Sequence, residues 1–259
     1  MDSKRIIEHI VNWLKDYSSH SNTNGFVVGI SGGIDSALTS TLCALTSKKV
    51  IVLNLPIKQN KTEFERSREH INWLMSSFNN VETYTVDLTN TLESIEKSLP
   101  INLQDQLTMA NTRSRLRMST LYAFAGHNKL LVAGTGNKVE DFGIGFFTKY
   151  GDGGVDLSPI ADLYKTEVYQ LASSLGVVNS ILSAKPTDGL FEDGRSDEDQ
   201  IGASYPELEW AMQYNSKNDT SDLTERQKDV LKIYSTWHHQ NKHKVEPIPV
   251  CLIPIKLKK

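Results

Sequence analysis

The run FVVGISGGIDS, residues 26–36, carries an apolar strand into a Ser-Gly-Gly-Ile-Asp-Ser turn, and a helix of small and apolar residues follows it, with Ala37, Leu38, Leu42, Ala44 and Leu45. Strand, glycine turn and helix start together make an anion site, because the first N–H groups of a helix have no partner within it and point outward. Gly32 and Gly33 let phosphate oxygens approach the main chain, and Ser31 and Ser36 add hydroxyl donors. No lysine follows the glycines, so this is not a Walker-type loop. A carboxylate at Asp35 would repel a bare phosphate; it makes sense as the ligand of a magnesium ion that bridges phosphate oxygens.

Outward from that turn, KVIVLNL (49–55), VETYTV (81–86) and KLLVAGT (129–135) repeat the short β-rich texture of FVVGI (26–30), as buried parallel strands do. Helical stretches separate them. Residues 3–18 place Ile6, Ile7, Ile10, Val11 and Leu14 on one face with Ser3 as N-cap, 62–78 opens with Thr62 and Glu65 at capping-box spacing, and 104–126 is periodic throughout. Alternation of strand and helix predicts an α/β fold: a doubly wound, mostly parallel sheet with ligands at the C-terminal ends of the strands. Beyond residue 136 a Gly-, Asp- and aromatic-rich stretch reads as a shaped functional loop. A helix follows near 165–175, 183–200 reads as a mobile lid, and the proline-bearing C-terminus stays extended.

At 259 residues, with 39% hydrophobic and 23% charged, the chain is expected to be one folded unit spanning 1–259. A formal charge of -3 gives no general pull toward nucleic acid or an anionic membrane. Cys43 and Cys251 are too few for a disulfide framework or a zinc site, and no apolar run reaches membrane-spanning length, so a cytoplasmic protein is expected. His239 and His243, four apart, lack a third metal ligand, and Trp13, Trp73, Trp210 and Trp237 read as packing. Arg115 shares a helix face with Asn111, Met118, Tyr122 and Ala125, whereas Arg113 and Arg117 lie on another; an Arg on a partly apolar stripe calls for an anionic partner or an internal salt bridge.

The SGGIDS turn resembles the N-type ATP pyrophosphatases, of Rossmann-like, adenine nucleotide alpha hydrolase-like fold. NTRSRLRM (111–118), GTGNKVE (134–140), FTKYGDGGVDLSPIADLYK (147–165), KPTDGL (185–190), DEDQIGASYPELE (197–209) and His243-Lys244 resemble, in order, blocks of the NAD synthetases, over about residues 5 to 245. The resemblance implies an ammonia-dependent ligase: the nicotinate carboxylate of deamido-NAD attacks the α-phosphorus of ATP, pyrophosphate leaves, and ammonia displaces AMP from the acyl-adenylate.

It further implies ATP contacts at Gly29, Ile30, Ser31, Gly32, Gly33, Ile34, Asp35, Ser36, Thr135, Lys165 and Thr187, with Asp35 and Lys165 catalytic. Deamido-NAD would meet Arg115, Lys149, Asp156, His243 and Lys244, and magnesium would sit on Asp35 and Glu140. One residue more than the family pattern separates Glu140 from FFTK, so Asp141 is the alternative second ligand; the role of Arg117 stays open. A homodimer is expected, built on the 104–126 helix with its Leu103, Leu107, Leu116, Leu121, Tyr122, Phe124 and Ala125. Free ammonia is the expected nitrogen donor, since neither cysteine has the surroundings of an amidohydrolase nucleophile, although a separate glutaminase subunit stays open. Rival readings are another pyrophosphatase adenylating a tRNA base or a purine nucleotide, and a non-catalytic adenine-nucleotide sensor; the first lacks a basic surface and the second has no use for leaving-group cations.

Overall fold

A computed structural model describes residues 1–187, 196–214 and 222–258. Its centre is a four-stranded parallel sheet of order β3-β2-β1-β4, made by β1 (Gly25–Gly29), β2 (Lys49–Asn54), β3 (Val81–Thr85) and β4 (Leu131–Val132). Phe26 pairs with Val50 on one side and Leu131 on the other, so the strand leading into the glycine turn lies inside the sheet.

Helices cover both faces. Alternation sends Phe26, Val28, Val50 and Val52 to a core with α1 (Ser3–His20), α2 (Ile34–Leu45), α3 (Lys61–Ser77) and α6 (Lys165–Ser174). Val27, Ile51 and Leu53 face the opposite core, against α4 (Thr89–Ser98) and α5 (Gln106–Asn128). Past α7 (Asn179–Leu182), a third cluster joins α8 (Asp197–Ile201), α9 (Tyr205–Gln213) and α10 (Glu225–Val245) through Tyr205, Leu208 and Val230. Because β1 connects onward to β2 on one side and lies beside β4 on the other, the sheet order reverses between β1 and β4, where doubly wound sheets open a crevice.

The caps of two helices and the length of one strand differ from expectation. α1 is capped by Asp2, whose carboxylate accepts from Arg5 N, and α3 by Asn60, which accepts from Thr62 N; in each case an Asx residue precedes the expected cap and reaches the free N–H groups first. The strand expected over 129–135 shrinks to two residues. Asp156 takes the Val132 N–H at 2.8 Å, and beyond Val132 the chain meets a single bridge from Ala133 to Leu157 instead of a longer ladder. Of the stretch expected to be a lid, residues 188–195 lie outside the described residues, while Asp197–Ile201 forms a short helix capped by Ser196.

Between α3 and α2, His70 is fully buried, stacked on Trp73, with Nε2 2.9 Å from Ser40 Oγ. Burial drops its imidazole from 6.5 to about 4. The unfolded chain therefore binds a proton near pH 6.5 that the folded chain refuses until about pH 4, and stability falls as pH drops through that window. A His70→Gln variant should flatten the fall in urea midpoint between those two pH values; an unchanged slope would show that other groups cause it.

Candidate active site

Past β1 the chain turns through Ser31, Gly32 and Gly33 into α2. Gly32 has φ +88°, and a Cβ there would lie 2.6 Å from Glu63 O, so both backbone and space demand glycine. Gly33 is the N-cap and contributes no side-chain bond, which leaves the first N–H groups of α2 open to a ligand. The two serines brace the turn: Ser31 Oγ accepts from Gly33 N at 3.1 Å and lies 3.1 Å from Ser36 Oγ.

Three distant parts of the chain meet at one ammonium group. Lys165 Nζ, at the start of α6, is 2.6 Å from Asp35 Oδ2 and 3.0 Å from Glu140 Oε1, and its side chain is 4% exposed. Burial opposes the lysine's charge, but the two carboxylates push its pKa above the usual range and it stays protonated. Burial likewise pushes the Asp35 carboxyl up, with the lysine pulling against it. Glu140 also accepts from Tyr205 OH at 2.6 Å, and burial and the Glu140 charge hold that phenol well above its ordinary value.

Glu140 lies on a π-helical turn, Val139–Ile144. Within it Glu140 reaches Lys165, whereas the Asp141 carboxylate fills the space a side chain on Gly136 would need. Burial, then the charges of Glu140, Asp152 and Asp35, raise Asp141 to about 8, so it is largely protonated at neutral pH.

A cleft of about 250 Å³ opens over this cluster at the β1–β4 crevice. Every residue from Gly29 to Ser36 lines it, with Thr135, Glu140, Lys165 and Thr187, and so does Arg117, whose Nε donates to Leu55 O at 3.0 Å. Arg115 does not line it. That side chain is exposed and donates to Lys149 O at 3.2 Å. Lys149 Nζ donates in turn to His243 O at 2.6 Å, and Lys244 Nζ to Phe147 O at 2.8 Å, so these expected acceptor contacts form a second group beside the cleft. Lys244 lines a smaller cavity there, about 130 Å³, with Asp141, Asp152 and Ser158. Asp156 belongs to neither cavity: it accepts from Tyr122 OH and Val132 N and ties β4 to α5.

The chain matches the NAD synthase family over residues 6–248. NH(3)-dependent NAD(+) synthetases from Methanosarcina acetivorans and Archaeoglobus fulgidus are 36% and 35% identical to it, covering 96% and 98% of this chain and 99% and 98% of their own. It belongs to the NAD synthase family. Solved structures agree with that placement. The NMN synthetase of Francisella tularensis superposes with TM-score 0.84 at 32% identity, covering 98% of this chain and 99% of its own. The NH3-dependent NAD synthetase of Campylobacter jejuni gives 0.79 at 26%, covering 97% and 100%.

Two members of this NAD synthase site escaped the sequence reading. Asn137 is fully buried; its amide donates to Asp35 Oδ1 at 3.0 Å while its oxygen accepts from Val139 N and Glu140 N, so one side chain joins both halves of the acidic pair. Tyr205 was the other; its ring also lies 4.7 Å from Lys165 Nζ. Each stood inside a quoted block, NKVE or ASYPELE, but an amide and a phenol carry no mark in sequence of the partner they will reach. Asn137→Ala strands two backbone donors and should cost about 1–3 kcal/mol in urea unfolding, with weaker ATP-analogue binding; Tyr205→Phe, which keeps the ring, should cost less. Equal losses in the two variants would refute the linking role of Asn137.

Proposed function

We propose that this chain is an ammonia-dependent ligase that uses ATP to amidate the nicotinate carboxylate of deamido-NAD, releasing AMP and pyrophosphate and forming NAD. What carries the reading is the convergence of the glycine turn, Asp35, Glu140 and Lys165 on one cleft, in a chain whose ammonia-dependent relatives it matches end to end. Family membership sets aside a tRNA- or purine-adenylating enzyme and a nucleotide sensor.

ATP would lie with its phosphates on the turn from Ser31 to Ser36, at the open N-terminus of α2, and its adenosine against Gly29, Ile30, Thr135 and Thr187. Asp35 and Glu140 fit magnesium: they already share one cation, and this ion characteristically takes one or two carboxylates and completes its shell with phosphate oxygens and water. Bound there, the ion would neutralise phosphate charge. Lys165, whose pKa the two carboxylates raise above the usual range, then supplies positive charge to the phosphoryl oxygens as the carboxylate attacks the α-phosphorus and the bond to the β-phosphate breaks. Arg115, Lys149, Asp156, His243 and Lys244 would hold or frame the acceptor, Asp156 by anchoring β4. Asp35→Asn should abolish ATP-dependent pyrophosphate release while leaving the melting temperature within a few degrees; near-normal release would refute the metal-binding assignment.

A second reading concerns the acceptor. Similarity to an NMN synthetase, at higher identity and TM-score than to the Campylobacter NAD synthetase, favours a nicotinate mononucleotide carrying the same carboxylate. Purified protein given ATP, ammonium and each acceptor in turn separates the readings by kcat/KM, and glutamine in place of ammonium checks the nitrogen donor.

The protein would act as a cytoplasmic homodimer; among the described residues no helix is long and apolar enough to cross a membrane. Leu121 and Ala125 of α5 are used in its own core, but Leu107 is 63% exposed, and Tyr122 on the same helix and Ile101 and Leu103 just before it are exposed as well. The extended tail adds exposed Ile248, Val250, Leu252 and Ile255. Sedimentation should give twice the chain mass, and Leu107→Glu should halve it; a monomeric native protein at micromolar concentration would rule the dimer out.

A further inference from the structure

We propose that Arg66, on α3, is a further binding residue of the ATP site and grips the departing pyrophosphate. The assignment rests on the ATP-using reading above.

A triphosphate needs more positive charge than the described cluster offers. Lys165 is already matched by two carboxylates, Asp35 and Glu140, so the three groups together carry a net negative charge. Arg117 also lines the cleft, but its Nε is already held by Leu55 O, just past the end of β2. Arg66 lies against the turn itself. Its Nε donates to Gly32 O at 3.4 Å, its Cβ lies 3.5 Å from where a Gly32 side chain would begin, and it lines the same cleft as Ser31 to Ser36. Gly32 O is the hydrogen-bond partner found for it among the described residues, and no carboxylate among them pairs with it. One of its five N–H groups is therefore engaged at the edge of the phosphate cradle, and four remain for a ligand.

The turn of α3 that carries Arg66 is also held in place. Ser67, its neighbour in sequence, is fully buried and accepts from Asn54 Nδ2 at 2.8 Å, which fixes this turn of α3 to the end of β2. Gln59 Nε2 donates to Ser31 O at 3.3 Å, a second tie between the α3 side and the turn. A planar donor fork on an anchored turn beside a helix N-terminus suits the paired oxygens of a diphosphate. In the reaction an oxygen of the acceptor carboxylate bonds to the α-phosphorus, and the bond from that phosphorus to the bridging oxygen breaks. The electron pair leaves on pyrophosphate. Arg66 donates hydrogen bonds to its non-bridging oxygens and transfers no proton.

The test is calorimetric titration of the full chain with magnesium pyrophosphate and, separately, with AMP. Arg66→Gln retains a donor for Gly32 O and loses the charge, and Arg66→Lys restores charge without the fork. Arg66→Gln should bind magnesium pyrophosphate about ten- to a hundredfold more weakly, with AMP affinity unchanged; Arg66→Lys should recover part of the loss. In steady state kcat/KM for ATP should fall while KM for the acceptor holds. Pyrophosphate affinity equal to wild type, or equal losses for pyrophosphate and AMP, as a merely disturbed turn would give, overturns the assignment. Wild-type protein that fails to bind magnesium pyrophosphate overturns both this assignment and the ATP-using reading, whereas wild-type binding with an indifferent Arg66→Gln removes Arg66 alone.

Discussion

The Lys165 ammonium sits between the Asp35 and Glu140 carboxylates, at 2.6 and 3.0 Å, and little in the cleft would keep its shape without it. Asp35 starts α2, Glu140 lies on the π-helical turn, and Lys165 starts α6. Removing one member of such a buried set characteristically costs about 3–5 kcal/mol, because the remaining charges lose their compensation. Its neighbours read as support: Asn137 bonds Asp35 and caps the turn that bears Glu140, Tyr205 OH bonds Glu140, and Glu209 accepts from Thr166 N and Oγ1 to pin the first turn of α6.

That arrangement explains why the cleft lies where it does. The sheet order reverses between β1 and β4, so the chain leaving β1 and the chain leaving β4 diverge and open a gap at their ends. The glycine turn lines one wall and Gly134, Thr135 and Glu140 the other, with Thr39 Oγ1 reaching Gly134 O across them. Only at such a gap can backbone donors, a lysine and two carboxylates face one volume while every strand keeps its ladder.

Much of the chemistry was legible in order along the chain. SGGIDS reads as a tight, open helix start because its paired glycines follow an apolar strand, and alternating apolar runs announce a parallel sheet because their period and length suit burial on both faces. Those are local properties, settled by neighbours within a turn or a strand. The same locality explains the errors at helix starts: Asp2 and Asn60 lie one and two residues before the residues expected to cap, and sequence alone does not say which side chain reaches the free N–H groups first.

Decisions between near-equivalents belonged to the tertiary structure. Glu140 and Asp141 are adjacent acids, and within the π-helical turn carrying them one reaches Lys165 and the other lies against Gly136. Arg115 and Arg117 lie two apart on α5, where a 3.6-residue period puts them about 200° apart; the packing of α5 then decides that Arg117 faces the cleft while Arg115 meets Lys149 O. Asn137 and Tyr205 acquire their roles from partners 102 and 65 residues away. Composition and period specify which faces of an element are buried; which side chain completes a charge depends on how elements far apart in sequence settle against one another, and that is a property of the packed fold.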